Sequence, residues 1–206
     1  MKEIVDRTIT ALPLLYIYYL AFFNKFLGYF IWTLIIFGCN LEILSLKKVT
    51  KKNNIMPLII INLGFIFSLF INYKNLFLLI GLNIISDSSQ LFSGKYLKNI
   101  IKFRPFPEIS PNKTLIGYIG GIILTLVINY FFKFVSYQSA LIILFAGILG
   151  DLIFSKIKRN NNIKDYFINL FNIKLSILKT HGGLLDRFDS IIVSIIFYKI
   201  YYLMLM

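Results

Sequence analysis

Seven apolar runs, at about 11–23, 28–46, 55–72, 75–92, 114–134, 137–154 and 188–206, dominate this sequence and leave little room for a soluble fold. The hydrocarbon core of a bilayer is spanned by about 20 apolar residues in a helix, and inside it every backbone N–H and C=O needs a partner within the protein. Runs of this length predict an all-α, polytopic membrane protein with about seven transmembrane helices. Composition agrees: 58% of the 206 residues are hydrophobic and mean hydropathy is +0.77, against roughly 45–50% apolar content in soluble domains. The first run is short enough for a signal-peptide apolar region, but no small-residue cleavage pattern follows it. Asn24 and Lys25 lead straight into the second run, which predicts a tight helical hairpin.

Charge sets the orientation, because Lys and Arg accumulate in cytoplasmic loops. The N-terminus and the loops near 47–54, 95–113 and 155–187 carry eighteen basic residues; the opposite side carries Lys25, Lys74 and Lys133, with Lys199 inside the last run. The N-terminus is therefore predicted to be cytoplasmic. All nine carboxylate side chains fall in the same half, which marks the cytoplasmic rim as the working surface. The net charge of +13 invites a nucleic-acid reading, but the basic residues are scattered through short loops, so membrane topology accounts for them and no nucleic-acid partner is expected. The single cysteine, Cys39, lies within an apolar run; this excludes a disulfide framework and a Cys-based metal site.

The stretch His181 to Ser190, HGGLLDRFDS, stands directly before the last run. A charge at the centre of a membrane helix costs about 2.5–3.5 kcal/mol, so Asp186 and Asp189 belong at a helix mouth rather than against lipid. Three residues apart on a helix they share one face, as a divalent cation held between protein and phosphate requires; the plainer reading is that they mark the membrane boundary. Asp87 lies about a turn and a half inside the end of the fourth run, and Gly150 and Asp151 close the sixth. In SPNKT, Ser110 reads as an N-cap and Pro111 as the first helical residue, so that a helix start, Lys113 and Thr114 face the cytoplasm and suit a phosphate. After Ser155, Lys158, Arg159 and Lys164 suit an anionic substrate or serve as ordinary positive-inside residues. Phe167, Leu170, Phe171, Leu175 and Leu178 recur at helical spacing opposite a polar stripe, which predicts an interfacial amphipathic helix near 166–179.

Together these residues resemble the phosphatidate cytidylyltransferase family, the CDP-diacylglycerol synthases. That signature runs Ser-x-apolar-Lys-Arg, four residues, Lys-Asp, a spacer, then His-Gly-Gly-apolar-x-Asp-Arg-apolar-Asp. Ser155, Ile157, Lys158, Arg159, Lys164 and Asp165 fill its first half; His181, Gly182, Gly183, Leu184, Asp186, Arg187, Phe188 and Asp189 fill the second. Asp87 with Gly94 and Lys95, SPNKT with Gly117, Gly120 and Gly121, and Gly150-Asp151 extend the resemblance from about residue 84 to the C-terminus. The chain departs from the pattern in its fifteen residues between Asp165 and His181, where the family has about seven. Lys179-Thr180 replaces the usual Pro-Gly, Phe154 stands where Glu is common, and against the family pattern the chain is expected to be short of one or more N-terminal spans.

The resemblance implies an enzyme of bacterial phospholipid biosynthesis in the inner membrane, its site on the cytoplasmic side, converting CTP and phosphatidic acid to CDP-diacylglycerol and pyrophosphate with Mg2+. It implies a division into N-terminal transmembrane helices over 1–72 and a catalytic region over 73–206, with cytoplasmic loops 93–113 and 155–187. It assigns Asp151, Asp186 and Asp189 to the metal and, together with Lys164 and Arg187, to catalysis. Asp87, Ser110, Lys113, Thr114, Lys158, Arg159, His181, Gly182 and Gly183 fall to substrate. The expected partners are CTP, phosphatidic acid and the bilayer, with a homodimer possible. Three rival readings stand beside it: a CTP-dependent polyprenol or lipid kinase, a CDP-archaeol synthase, and a small membrane transporter, the last of which wants ionisable residues nearer mid-membrane.

Overall fold

The computed structural model describes residues 16–45, 51–97, 103–111, 113–161, 163, 168–170, 173–175 and 183–205. Helical residues 16–23 (α1) are followed by α2 (Lys25–Leu44), α3 (Lys51–Leu69), α4 (Tyr73–Tyr96), α5 (Leu115–Phe132) and α6 (Tyr137–Asn160). A short antiparallel ribbon, β1 (Ile168–Leu170) and β2 (Ile173–Leu175), precedes α7 (Leu185–Met204). By length and composition α2, α4, α5 and α6 can each cross a membrane, and the apolar part of α3, Ile55–Leu69, is shorter. The protein is an integral membrane protein, and apart from the ribbon its described secondary-structure elements are helices.

α7 is the centre of the fold. From Asp189 through Ile196 every side chain is buried, as a helix surrounded by other helices requires. α6, α3, α4 and α2 pack against it. The outer faces of α2, α3, α5 and α6 instead expose large apolar residues, among them Phe30, Phe37, Ile59, Ile66, Ile123, Phe131 and Phe145, the surface a lipid-facing bundle presents. α5 buries Tyr118 and a stripe of Gly117, Gly121, Thr125 and Asn129 at four-residue spacing. Small residues there let its backbone approach α4: a Cβ added to Gly117 would lie 3.3 Å from the Cα of Gly94 and 3.1 Å from the carbonyl oxygen of Gln90. Serines tie α7 to its neighbours. Ser194 donates to Asn83 Oδ1 on α4 at 2.9 Å, and its hydroxyl also lies 2.9 Å from the Ile143 carbonyl on α6.

Two expectations change. Residues 168–170 and 173–175 do not belong to an amphipathic helix; they pair as strands, with Ile168 opposite Leu175, Asn169 opposite Lys174 and Leu170 opposite Ile173. The same residues that recur at helical spacing also alternate apolar, polar, apolar over INL and IKL, and pairing of the two segments favours that period of two. Ser110 is not the N-cap of α5. That helix begins at Leu115, and Thr114 caps it by accepting the Gly117 N–H at 3.2 Å. Ser110 sits in the preceding turn, where its N–H donates to the Phe106 carbonyl at 2.8 Å and its own carbonyl accepts the Lys113 N–H at 3.3 Å. An extended threonine at the cap satisfies a free helix-start amide, which the four residues before it would otherwise have to reach.

Candidate functional site

A helix start leaves backbone N–H groups without partners, and the start of α7 fills them with carboxylates from two places. Leu184, the capping residue, has no side-chain acceptor of its own. Its N–H and that of Leu185 donate to Oε1 and Oε2 of Glu42 on α2, each at 2.7 Å. The Gly183 N–H donates to Asp186 Oδ2 at 3.0 Å, and Lys158 Nζ donates to Asp186 Oδ1 at 2.7 Å. Asp186 is thus oriented through both oxygens, by the glycine before the helix and by the last turn of α6. With side-chain exposures of 14% and 11%, Lys158 and Asp186 form a largely desolvated pair.

One turn along α7 lies Asp189, 4% exposed, with its Oδ1 accepting the Ser190 N–H at 2.7 Å. Here α6 approaches most closely. A Cβ on Gly150 would fall 2.7 Å from the Asp189 carbonyl oxygen and 3.0 Å from the Ser190 Cα, so the residue before Asp151 must be glycine for the helices to cross at this depth. Asp87 joins from α4, accepting the Ser190 hydroxyl at 3.1 Å on Oδ2. Asp87, Asp151 and Asp189 lie within electrostatic reach of one another, and Lys158 and Arg187 are their nearby cations.

Lys113 completes the group from the turn before α5. Its ammonium donates to Asp151 Oδ2 at 2.7 Å and stands 5.8 Å from the centre of the Tyr118 ring. Burial works against the Lys113 charge, but the Asp151 carboxylate and its hydrogen bond, with Asp87 and Tyr118, outweigh burial and hold its pKa above the usual lysine value. Arg159, exposed at the end of α6, donates from Nε to the Ile109 carbonyl at 3.3 Å and so ties the 103–111 segment to α6.

The structure therefore brings together Asp87, Lys113, Asp151, Lys158, Gly183, Asp186, Arg187 and Asp189, with Thr114 at the adjoining helix start. Ser110 and Arg159 lie on the loop side of this group. Lys164, His181 and Gly182 lie outside the described residues. Glu42, Ser190 and Tyr118 were not among the expected site residues. An acid near the end of an otherwise apolar run was the one available hint of Glu42.

Carboxylate oxygens suit a hard divalent cation such as Mg2+. Among the described residues no three Asp, Glu, Cys or His side chains are grouped closely enough to hold a metal by themselves. Mg2+ is commonly bound by one or two carboxylates together with substrate phosphates, and Asp151 and Asp189, within electrostatic reach of each other, are of the donor type that mode uses.

Residues 8–205 match the model of the Cytidylyltransferase family, nearly the whole chain. The chain belongs to that family. Similar cytidylyltransferases include a phosphatidate cytidylyltransferase of Bacillus subtilis, 41% identical over 114 residues that make up 51% of this chain and 38% of that protein. One from Staphylococcus aureus (strain COL) is 39% identical over 109 residues, 48% of this chain and 39% of its own length. One from Helicobacter pylori is 31% identical over 164 residues, 73% of this chain and 57% of its own. The chain thus spans from 38% to 57% of the length of these relatives.

Proposed function

We propose that this cytidylyltransferase moves CMP from CTP to phosphatidic acid, giving CDP-diacylglycerol and pyrophosphate. The names of its relatives support that substrate pair. The observation that carries the reading is the meeting of acids and lysines from α4, the start of α5, α6 and α7 at one helix mouth. A phosphate oxygen of the lipid attacks the α-phosphorus of CTP and forms the new P–O–P bond. The α–β phosphoanhydride bond breaks, and its electron pair leaves with pyrophosphate. Since the lipid phosphate is already anionic, the reaction needs no strong base; it needs two mutually repelling anions to be neutralised and aligned.

Lys113 and Lys158 are held beside the acids and are the nearest cations for phosphate oxygens, with Arg187 exposed beside them. Lys164 and His181 are proposed to join them from the neighbouring sequence. Gly183, and Gly182 before it, have no side chain to obstruct a substrate. Thr114 sets the start of α5, whose helix dipole adds partial positive charge beside Lys113. Mg2+, bound through Asp151 and Asp186 with Asp189 beside them, would supply charge neutralisation of the triphosphate. We place this site at the cytoplasmic face of a bacterial inner membrane, with about seven spanning helices and a cytoplasmic N-terminus. The distribution of eighteen basic residues against three supports that orientation.

The test uses purified protein in detergent, radiolabelled CTP and phosphatidic acid, with and without Mg2+. Wild type is expected to place label in lipid with release of pyrophosphate, whereas a lipid kinase would release CDP. Asp186→Asn should lose about a hundredfold or more in rate. Equal labelling by both proteins removes Asp186 from the mechanism, and no labelled lipid from wild type refutes the reaction.

A further inference from the structure

Glu42 belongs to α2, far in sequence from every motif described above, yet among the described contacts at the site its bonds join the residues most distant in sequence: its partners Leu184 and Leu185 lie 142 and 143 residues away. It is 2% exposed. A buried carboxylate is costly unless its oxygens are satisfied, and both are, by amides at 2.7 Å, the short range of charge-assisted bonds. The same amides point out of a helix start that has no cap of its own, where a negative charge is favoured by the helix dipole.

Two further contacts hold α2 and α7 in the same register. A Cβ on Gly38, one turn before Glu42, would lie 2.6 Å from Leu184 Cδ2. Trp32 meets the Phe188 ring edge-on, with centroids 6.1 Å apart. Two N–H bonds to one carboxylate fix both how far α7 extends and how it is rotated at its first turn. Asp186 is the next residue after that clamp, and Asp189 follows one turn on.

On the footing of the cytidylyl transfer proposed above, we propose that Glu42 is a positioning residue, whose carboxylate clamps the first turn of α7 and so fixes where Asp186 and Asp189 point. Glu42 is buried, and each of its oxygens accepts an amide of the first turn, so it acts through α7. Gln in its place keeps the shape but turns one acceptor into a donor facing an N–H; Asp keeps the charge on a shorter arm.

The experiment compares full-length wild type, Glu42→Gln, Glu42→Asp and Gly38→Ala in detergent. It measures kcat, KM for phosphatidic acid, melting temperature and amide exchange over 183–188. Glu42→Gln is expected to lower kcat by about tenfold or more, to leave KM within about twofold, and to speed exchange at Leu184 and Leu185 while the protein remains folded. Glu42→Asp should recover part of the lost kcat, which loss of packing alone would not allow. Turnover of Glu42→Gln within about twofold of wild type overturns the proposal, as does a fall that merely follows the folded fraction with exchange unchanged. Where Glu42→Gln does not accumulate as folded protein, Glu42→Asp and Gly38→Ala decide: in either, faster exchange at Leu184 and Leu185 with wild-type kcat overturns the proposal, and a fall in kcat that accompanies the faster exchange supports it. A wild type that makes no labelled lipid defeats the reaction, while the exchange measurement still tests the clamp.

Discussion

Gly150→Ala is the sharpest test of the crossing between α6 and α7. The added methyl would meet the Asp189 carbonyl oxygen at 2.7 Å, the Val193 Cβ at 2.9 Å and the Ser190 Cα at 3.0 Å. Two of these atoms are backbone and the third belongs to a β-branched side chain, so none can rotate away. Relief requires the helices to separate by about 0.5 Å to restore ordinary contact distances. Overpacking of this kind costs about 1–3 kcal/mol. It also moves Asp151, the next residue, away from Asp189, and displacements of about 1 Å at a reacting site cost about a hundredfold in rate; half of that predicts about a tenfold loss. Gly64→Ala is the control: its methyl meets Ile192 Cγ2 at 2.7 Å and the Ile192 carbonyl at 3.2 Å, on the same helix but from α3. Melting temperatures of both variants, followed by emission of the one tryptophan, Trp32, should fall together, while only Gly150→Ala loses turnover per folded molecule. Equal turnover in the two variants would refute the claim that the α6–α7 spacing sets the distance between the acids.

Other consequences are as direct. Lys113→Met leaves Asp151 without its 2.7 Å partner and should lower both stability and rate. Because the folded-state pKa of Lys113 is raised, the stability it contributes is fully present below its unfolded value of about 10.4 and is lost as pH rises through the folded one. Melting measured from pH 9 to 11.5, on the order of one unit either side of that value, should therefore decline more steeply in wild type than in Lys113→Met; parallel curves would contradict the assignment. Gly121→Ile places a branched side chain against the Gln90 backbone nitrogen, 3.1 Å from the added Cβ, and should cost about 1–3 kcal/mol as α5 lifts from α4. An unchanged melting temperature would show that α5 is not seated through that glycine stripe.

Much of the architecture was legible because membrane helices carry their signal in composition. The apolar runs marked α2 and α4 to α7, with ends displaced by a few residues: α4 continues to Tyr96, well past the run that suggested it. Gly150-Asp151 and the paired acids of α7 were recognisable since their spacing is local. Three features were not. The INL and IKL segments satisfy both a helical and an alternating pattern, and only pairing between them distinguishes the two. Ser110 and Thr114 are both competent caps, and the choice depends on where the 103–111 segment packs, with Leu115 N–H reaching the Phe103 carbonyl at 2.9 Å. Glu42 leaves no spacing signature, because its partners are backbone amides from the other end of the chain.

Two ion pairs among the described residues, Lys113 with Asp151 and Lys158 with Asp186, have a bearing on how the proposed polyanionic substrate can enter at all. In the proposed reaction, bare carboxylates would repel the triphosphate, and bare lysines would hold on to pyrophosphate once it formed. Matched one to one, these two lysines and two carboxylates cancel, so that in the proposed reaction arrival and departure of phosphate are swaps of partners instead of the creation and loss of charge.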